Sequence, residues 1–166
     1  MPCVEEEHAR SFLIELLEGV LGVPGATRVL EFERKVKGRK IDVFYEDMGI
    51  LIEMKGRGTS LDEAAVRSKK ADPETPYQQA KWYADNLPHS IRPRWIVTCN
   101  FDGFRIYDLE HPDDAFIGLT LDELPEKSYL LSFFTDESNS RLVKEKELSV
   151  RAGEVVGRLY KALSEQ

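Results

Sequence analysis

Arg39-Lys40-Ile41-Asp42-Val43-Phe44-Tyr45-Glu46-Asp47-Met48-Gly49-Ile50-Leu51-Ile52-Glu53-Met54-Lys55 is two short apolar runs joined by a tight corner. If Asp47-Met48 is a two-residue hairpin loop, Glu46 pairs with Gly49, Asp42 falls opposite Glu53 and Lys40 falls opposite Lys55. Strand alternation then puts Lys40, Asp42, Phe44, Leu51, Glu53 and Lys55 on one face. Ile41, Val43, Tyr45, Ile50, Ile52 and Met54 take the other, which is apolar apart from one phenol. A one-residue slip would bury the charges, so the pattern sets the register. Two facing carboxylates repel unless they share a proton or a cation. Magnesium is the simplest such cation: it takes oxygen ligands, including few protein carboxylates, and keeps open positions for water and a phosphate oxygen. Lys55, two residues beyond Glu53, is placed to orient the water or to neutralise charge developing on phosphorus. The chemistry implied is metal-assisted phosphodiester hydrolysis. The same residues also fit a solvated hairpin face whose acids pair with Lys40 and Lys55 and contribute little.

Outward from the hairpin, residues 5–21 read as an amphipathic helix with Phe12, Leu13, Leu16, Leu17, Val20 and Leu21 on its buried stripe. Gly22-Val23-Pro24-Gly25 stops it, and a strand is expected over 28–36. After Lys55 comes a flexible exit, Gly56-Arg57-Gly58-Thr59-Ser60, then a short helix over 61–70 covering the cleft. Thr75-Pro76-Tyr77-Gln78 spells a helix start: Thr75 as N-cap, Pro76 at the first helical position, Gln78 as the reciprocal cap. That helix runs to about 87 and sets Gln79 and Tyr83 on one face, although a surface glutamine and a half-buried tyrosine need no active site. Strands follow over 94–98 and 104–109 about an Asp102-Gly103 turn. Residues 111–140 read as polar loop with short ordered pieces. A last helix carries Leu148, Val155, Val156, Leu159, Tyr160 and Leu163, a stripe that either packs back on the domain or serves a following segment.

Asp42, ten residues, then Glu53-Met54-Lys55 resembles the active-site motif of the PD-(D/E)XK nuclease superfamily, with Ile41 where a proline usually precedes the aspartate. Gln79-Ala80-Lys81-Trp82-Tyr83 resembles the Gln-x-x-x-Tyr motif of its RecB-like branches, though Lys69-Lys70-Ala71-Asp72-Pro73-Glu74 lengthens the link that leads to it. More of the chain resembles the amino-terminal nuclease domain of MmeI-like Type IIG (Type IIL) restriction enzymes, which fuse endonuclease and methyltransferase: Glu7-His8-Ala9-Arg10-Ser11-Phe12-Leu13, Phe32-Glu33-Arg34-Lys35-Val36, 94–109 and 148–154. The resemblance implies an α/β fold with a restriction-endonuclease-like core, a mixed central sheet flanked by helices. It implies a nuclease domain over 1–140 and, over 141–166, a helix connecting to methyltransferase and target-recognition regions outside this chain. It assigns metal binding to Asp42, Glu53 and the Met54 carbonyl, with Mg2+ or Mn2+, and catalytic roles to Asp42, Glu53, Lys55 and Gln79. Tyr83 would contact the DNA backbone or brace its helix. S-adenosylmethionine would belong only to the missing region. The expected partner is double-stranded DNA, cut at a distance from the recognised sequence, with transient homodimerisation for cutting both strands. Two alternatives stay open: a stand-alone repair or junction-resolving nuclease, and an inactive nuclease fold used as an interaction module.

Composition narrows the rest. The 166 residues, 42% hydrophobic, suffice for one domain with a core of its own. No apolar run approaches membrane-spanning length and no secretory leader is evident, so a cytoplasmic location is expected. Cys3 and Cys99 lack metal-ligand spacing and are expected to stay reduced. The three histidines lack zinc partners, Trp82 and Trp95 are packing residues, and Glu15 and Glu18 read as solvent-face charges. The net charge of −7 argues against a generic DNA-coating protein. Charge is unevenly spread, however. Arg34, Lys35, Lys37, Arg39 and Lys40 lead into the hairpin, and Lys55, Arg57, Arg67, Lys69 and Lys70 follow it, while acids gather between Glu110 and Glu137. Lys35, Lys37, Arg39, Lys40, Arg57 and Tyr83 are the expected DNA contacts.

Overall fold

The structure is a computed structural model that describes residues 4–136 and 141–164. Its centre is a six-stranded mixed sheet in sequential order: β1 (Glu31–Val36), β2 (Arg39–Tyr45), β3 (Ile50–Met54), β4 (Trp95–Cys99), β5 (Gly103–Asp108) and β6 (Ile117–Thr120). All neighbours are antiparallel except β3 and β4, which run parallel. A parallel pair needs a crossover. Here it contains helix α3 (Pro76–Asn86), which lies across β3 and β4.

The hairpin register is the expected one: Val43 pairs with Ile52, Phe44 with Leu51 and Tyr45 with Ile50. Its corner closes with the Gly49 amide donating to the Glu46 carbonyl at 3.1 Å. The left-handed residue is Gly49 (φ 65°), whose carbonyl then accepts from the Arg94 and Trp95 amides. Both faces of this hairpin are buried. Val43, Tyr45, Ile50 and Ile52 pack with Leu13, Leu16 and Leu17 in one core. Phe44 and Leu51 pack with Ala80, Tyr83 and Ala84 beneath α3 in the other.

Ile41 joins this second core, not the face carrying Val43. The reason lies at Glu33, the position facing Asp42 in β1, which has φ 56° in mid-strand. Phe32 packs on the core under the first helix, whereas Arg34, two residues on, lies over the Phe44 ring on the α3 side. Both strands thus exchange faces at the same step, a local departure from simple alternation.

Helix α1 (Val4–Ile14) continues into a wider π-helical segment, Glu15–Val20. The Leu21 amide bonds to the Leu16 carbonyl, a five-residue span. That widening rotates the expected stripe: Leu13, Leu16 and Leu17 stay buried, but Val20 turns outward and Val23 enters the core in its place. Residues 26–29 form a short helix, α2 (Ala26–Val29), so the first strand begins at Glu31, later than expected. Residues 61–70 are not a helix. Leu61 is their sole buried hydrophobic residue and Val66 is exposed, so no apolar stripe drives one; Ala65 and Glu74 instead form an isolated bridge.

The β4–β5 corner spans Asn100, Phe101 and Asp102, with Gly103 opening β5. The Asn100 carboxamide oxygen accepts from the Asp102 and Gly103 amides, and Phe101 adopts φ 70°. The stretch read as polar loop supplies β6, helix α4 (Leu124–Lys127) and a 3-10 segment, Ser128–Phe134. These bring Leu119, Leu124, Leu131, Phe133 and Phe134 into the core, with Phe133 stacked on Trp95. Helix α5 (Arg141–Ser164) is exposed throughout 148–164, so its apolar stripe does not pack back on the sheet. Cys3 and Glu137 lie outside the described residues. Cys99 is a free thiol, and burial pushes it up to about 12, which leaves it inert. No helix among the described residues is long and apolar enough to cross a membrane.

Candidate active site

The ladder between β2 and β3 stops at Val43 and Ile52, and the site opens where it stops. From there β3 stays with β4, through Glu53 beside Thr98 and Met54 beside Cys99, and the Lys55 amide donates to the Cys99 carbonyl at 2.7 Å. Strand β2 diverges. Across the fork the Asp42 carboxylate accepts the Met54 amide at 2.7 Å, a side chain substituting for the missing backbone partner. That bond satisfies the Met54 N–H, and it sets the Asp42 charge beside β3.

Glu53 sits at the root of the fork and is wholly buried. Its Oε1 accepts the Lys55 ammonium at 2.6 Å; its Oε2 is buried with no hydrogen-bond partner among the described residues. Burial, and then the charge of Asp42, push its carboxyl up to about 7, while Lys55 and Arg67 pull it down. The Lys55 ammonium also donates to the Gln79 carboxamide oxygen at 2.9 Å. Gln79 is buried in the first turns of α3, where the reciprocal Thr75–Gln78 cap holds the helix start as the sequence requires. Asp42, Glu53, Lys55 and Gln79 thus come from two strands and a helix to one place.

A cleft of about 930 Å³ opens beside them, lined by Asp42, Met54 and Lys55 together with Arg10, Arg67 and Phe101. Among the described residues no group of three or more His, Cys, Asp or Glu side chains is disposed to hold a metal. What the fork brings together is two carboxylates, those of Asp42 and Glu53. They fit a hard cation: the buried Glu53 Oε2 has no protein donor, and the neighbouring carboxylate adds negative potential.

The expected DNA contacts divide. Arg39 and Lys40 line the cleft, but Arg39 is bound to Glu74 at 2.8 Å and stacked on Trp82, and Lys40 is bound to Glu33 at 3.1 Å. The divergence of β2 also carries Lys40 away from its expected pairing with Lys55. Lys35 and Lys37 are exposed and do not line the cleft; neither does Arg57, which pairs with Asp102 at 3.1 Å. Tyr83 is fully buried in the core under α3, so it braces the helix and meets no DNA backbone from this position. Glu15 and Glu18 are exposed and away from the cleft; α1 sends Arg10 there instead, bound to Glu33 at 3.0 Å. Arg10 and Phe101 also line the cleft, although neither belongs to the expected site residues and no motif in the sequence marks them.

A mixed sheet that forks at an aspartate, with Glu-x-Lys on the adjoining strand and a glutamine on the crossover helix, defines the PD-(D/E)XK nuclease class of fold. A family model, MmeI N-terminal domain, matches residues 4–166, and the chain belongs to that family. It is accordingly a restriction-enzyme domain of nuclease type, whose class acts on DNA. No curated protein and no solved structure matches it.

Proposed function

We propose that this chain is the magnesium-dependent DNA-cleaving module of a restriction enzyme fused to an adenine methyltransferase. The observation that supports it most is the half-satisfied carboxylate of Glu53: buried, one oxygen on Lys55, the other without a donor, in the field of Asp42. A purely structural ion pair at that depth would be expected to satisfy both oxygens, because a buried unpaired charge is costly. In this reading Asp42, Glu53 and the Met54 carbonyl hold Mg2+, with Mn2+ as a substitute, and the bound ion supplies Lewis acidity toward a phosphate oxygen and water. Lys55 orients the attacking water and meets the charge that develops on phosphorus as the P–O bond breaks. Gln79 fixes the direction of that ammonium. Base recognition and S-adenosylmethionine belong to regions outside these residues, and cutting both strands of a duplex requires two such modules.

Calorimetric titration with Mg2+ or Mn2+ tests the metal site directly. The wild-type chain is expected to bind at millimolar or lower concentration and Asp42→Ala to lose that binding; silence in the wild type would overturn the proposal. Where the methyltransferase is present in the same polypeptide, Glu53→Ala and Lys55→Ala are expected to lower DNA cleavage by about 10²-fold or more and to leave methylation intact. Loss of both activities together would mean a damaged fold.

A further inference from the structure

Five cationic side chains line the cleft: Arg10, Arg39, Lys40, Lys55 and Arg67. Four of them are held by acids: Arg10 and Lys40 by Glu33, Arg39 by Glu74, and Lys55 by Glu53. Arg67 enters none of the ion pairs or hydrogen bonds among the described residues, and its side chain is exposed. Its charge nonetheless reaches the buried site, where it helps to hold the Glu53 carboxyl down.

The loop that carries Arg67 is fastened at several points. Ala65 and Glu74 exchange backbone hydrogen bonds at 3.0 and 3.1 Å, and the Glu74 carboxylate is the one that holds Arg39. Asp62 receives Arg105 through both of its oxygens at 3.1 and 3.0 Å, and the Thr59 carbonyl accepts from Asn100 at 2.8 Å. Ser60 adds a local clasp on the Asp62 and Glu63 amides. The loop is thus pinned to β2, β5 and the β4–β5 corner, and Arg67 is presented over the cleft with no ion pair or hydrogen bond holding its guanidinium among the described residues.

An anion arriving at Arg10, Arg39 or Lys40 must first break an ion pair. At Arg67 it meets no such cost, and the guanidinium fork matches two phosphate oxygens at once. We propose that Arg67 is a substrate-binding residue that grips a DNA backbone phosphate next to the bond on which Lys55 acts. The inference rests on reading the cleft as a nuclease site, and the test below separates its failure from failure of that reading.

The measurement is fluorescence anisotropy of a short labelled DNA duplex with the full chain, over a range of KCl concentrations, with Ca2+ replacing Mg2+. Arg67→Ala is expected to weaken binding several-fold and to lower the slope of log K against log salt by about one. Arg67→Lys should restore the slope but not the full affinity, because a point charge lacks the fork. Lys81→Ala removes the same formal charge from α3, where Lys81 pairs with Asp85, and is expected to change neither quantity. Unchanged affinity and slope in Arg67→Ala, or equal damage from Lys81→Ala, overturns the proposal while the nuclease reading stands. A wild-type chain that neither binds the duplex nor cuts it overturns both. Melting temperature checks the fold of each variant; Arg67 is exposed, so it should not move.

Discussion

At Glu53, burial and charge pull in opposite directions. Sequestration and the nearby Asp42 raise its carboxyl to about 7 from an ordinary 4.5, against the pull of Lys55 and Arg67. A raised acid binds its proton more tightly in the folded chain than in the unfolded one, so the contribution is fully present below pH 4.5. It is lost as pH rises through 7, by roughly 3 kcal/mol if the whole shift is expressed. Urea denaturation in EDTA should therefore show stability falling between pH 5 and pH 8, with that fall largely removed in Glu53→Gln. Exposed His111, paired with the part-buried Asp108, contributes with the same sign, so the difference between wild type and variant decides the matter. Equal slopes in the two proteins would exclude Glu53 as the source. Asp42, Glu53 and Lys55 were legible in the sequence from their spacing about a short corner, although the strands fork at Asp42 and do not pair there as plain alternation requires. Burial of the Phe44 and Leu51 face was not, since it depends on a helix that returns from more than twenty residues away.

Helix α3 is the element in which sequence and structure agree most closely, because its start is specified locally. Thr75 and Gln78 cap each other, Pro76 occupies a first-turn position that needs no amide, and Gln79 follows one residue inside. Thr75→Ala should cost about 1 kcal/mol in urea denaturation, with Thr75→Ser recovering most of it. Because the Gln79 amide bonds to the Thr75 carbonyl, the same loss is expected to loosen Gln79 on Lys55 and to lower cleavage more than stability alone predicts. Activity that tracks stability without excess would detach the cap from the site. Elements set by distant contacts were harder to read. Strand β6 has one buried residue, Leu119, in four, so no period stands out; it exists because β5 offers an edge and Gly103 lets the Leu119 carbonyl approach within 3.1 Å of where a Cβ would stand. The face exchange at Glu33 is equally invisible beforehand, as a glutamate at φ 56° carries no sequence mark.

Over the whole molecule the charge of −7 and the cationic cleft are reconciled by internal pairing. Glu33 alone occupies both Arg10 and Lys40, and Lys40 and then Arg10 hold its carboxyl below the usual range. DNA binding must exchange such pairs for phosphates, so the chain should release fewer counterions than its five cleft cations would permit if all were unpaired. The salt slope of duplex binding is accordingly expected near one or two, and affinity at physiological salt should be weak. Glu33→Gln leaves the side chain's size and removes its charge. It should raise affinity and steepen the slope by about one to two, as Arg10 and Lys40 turn to phosphate. The position is exposed, and its left-handed backbone is no worse for glutamine than for glutamate, so melting temperature should hardly change. If Glu33→Gln leaves both affinity and slope where they were, Arg10 and Lys40 do not reach DNA, and the cationic lining on that side of the cleft is structural.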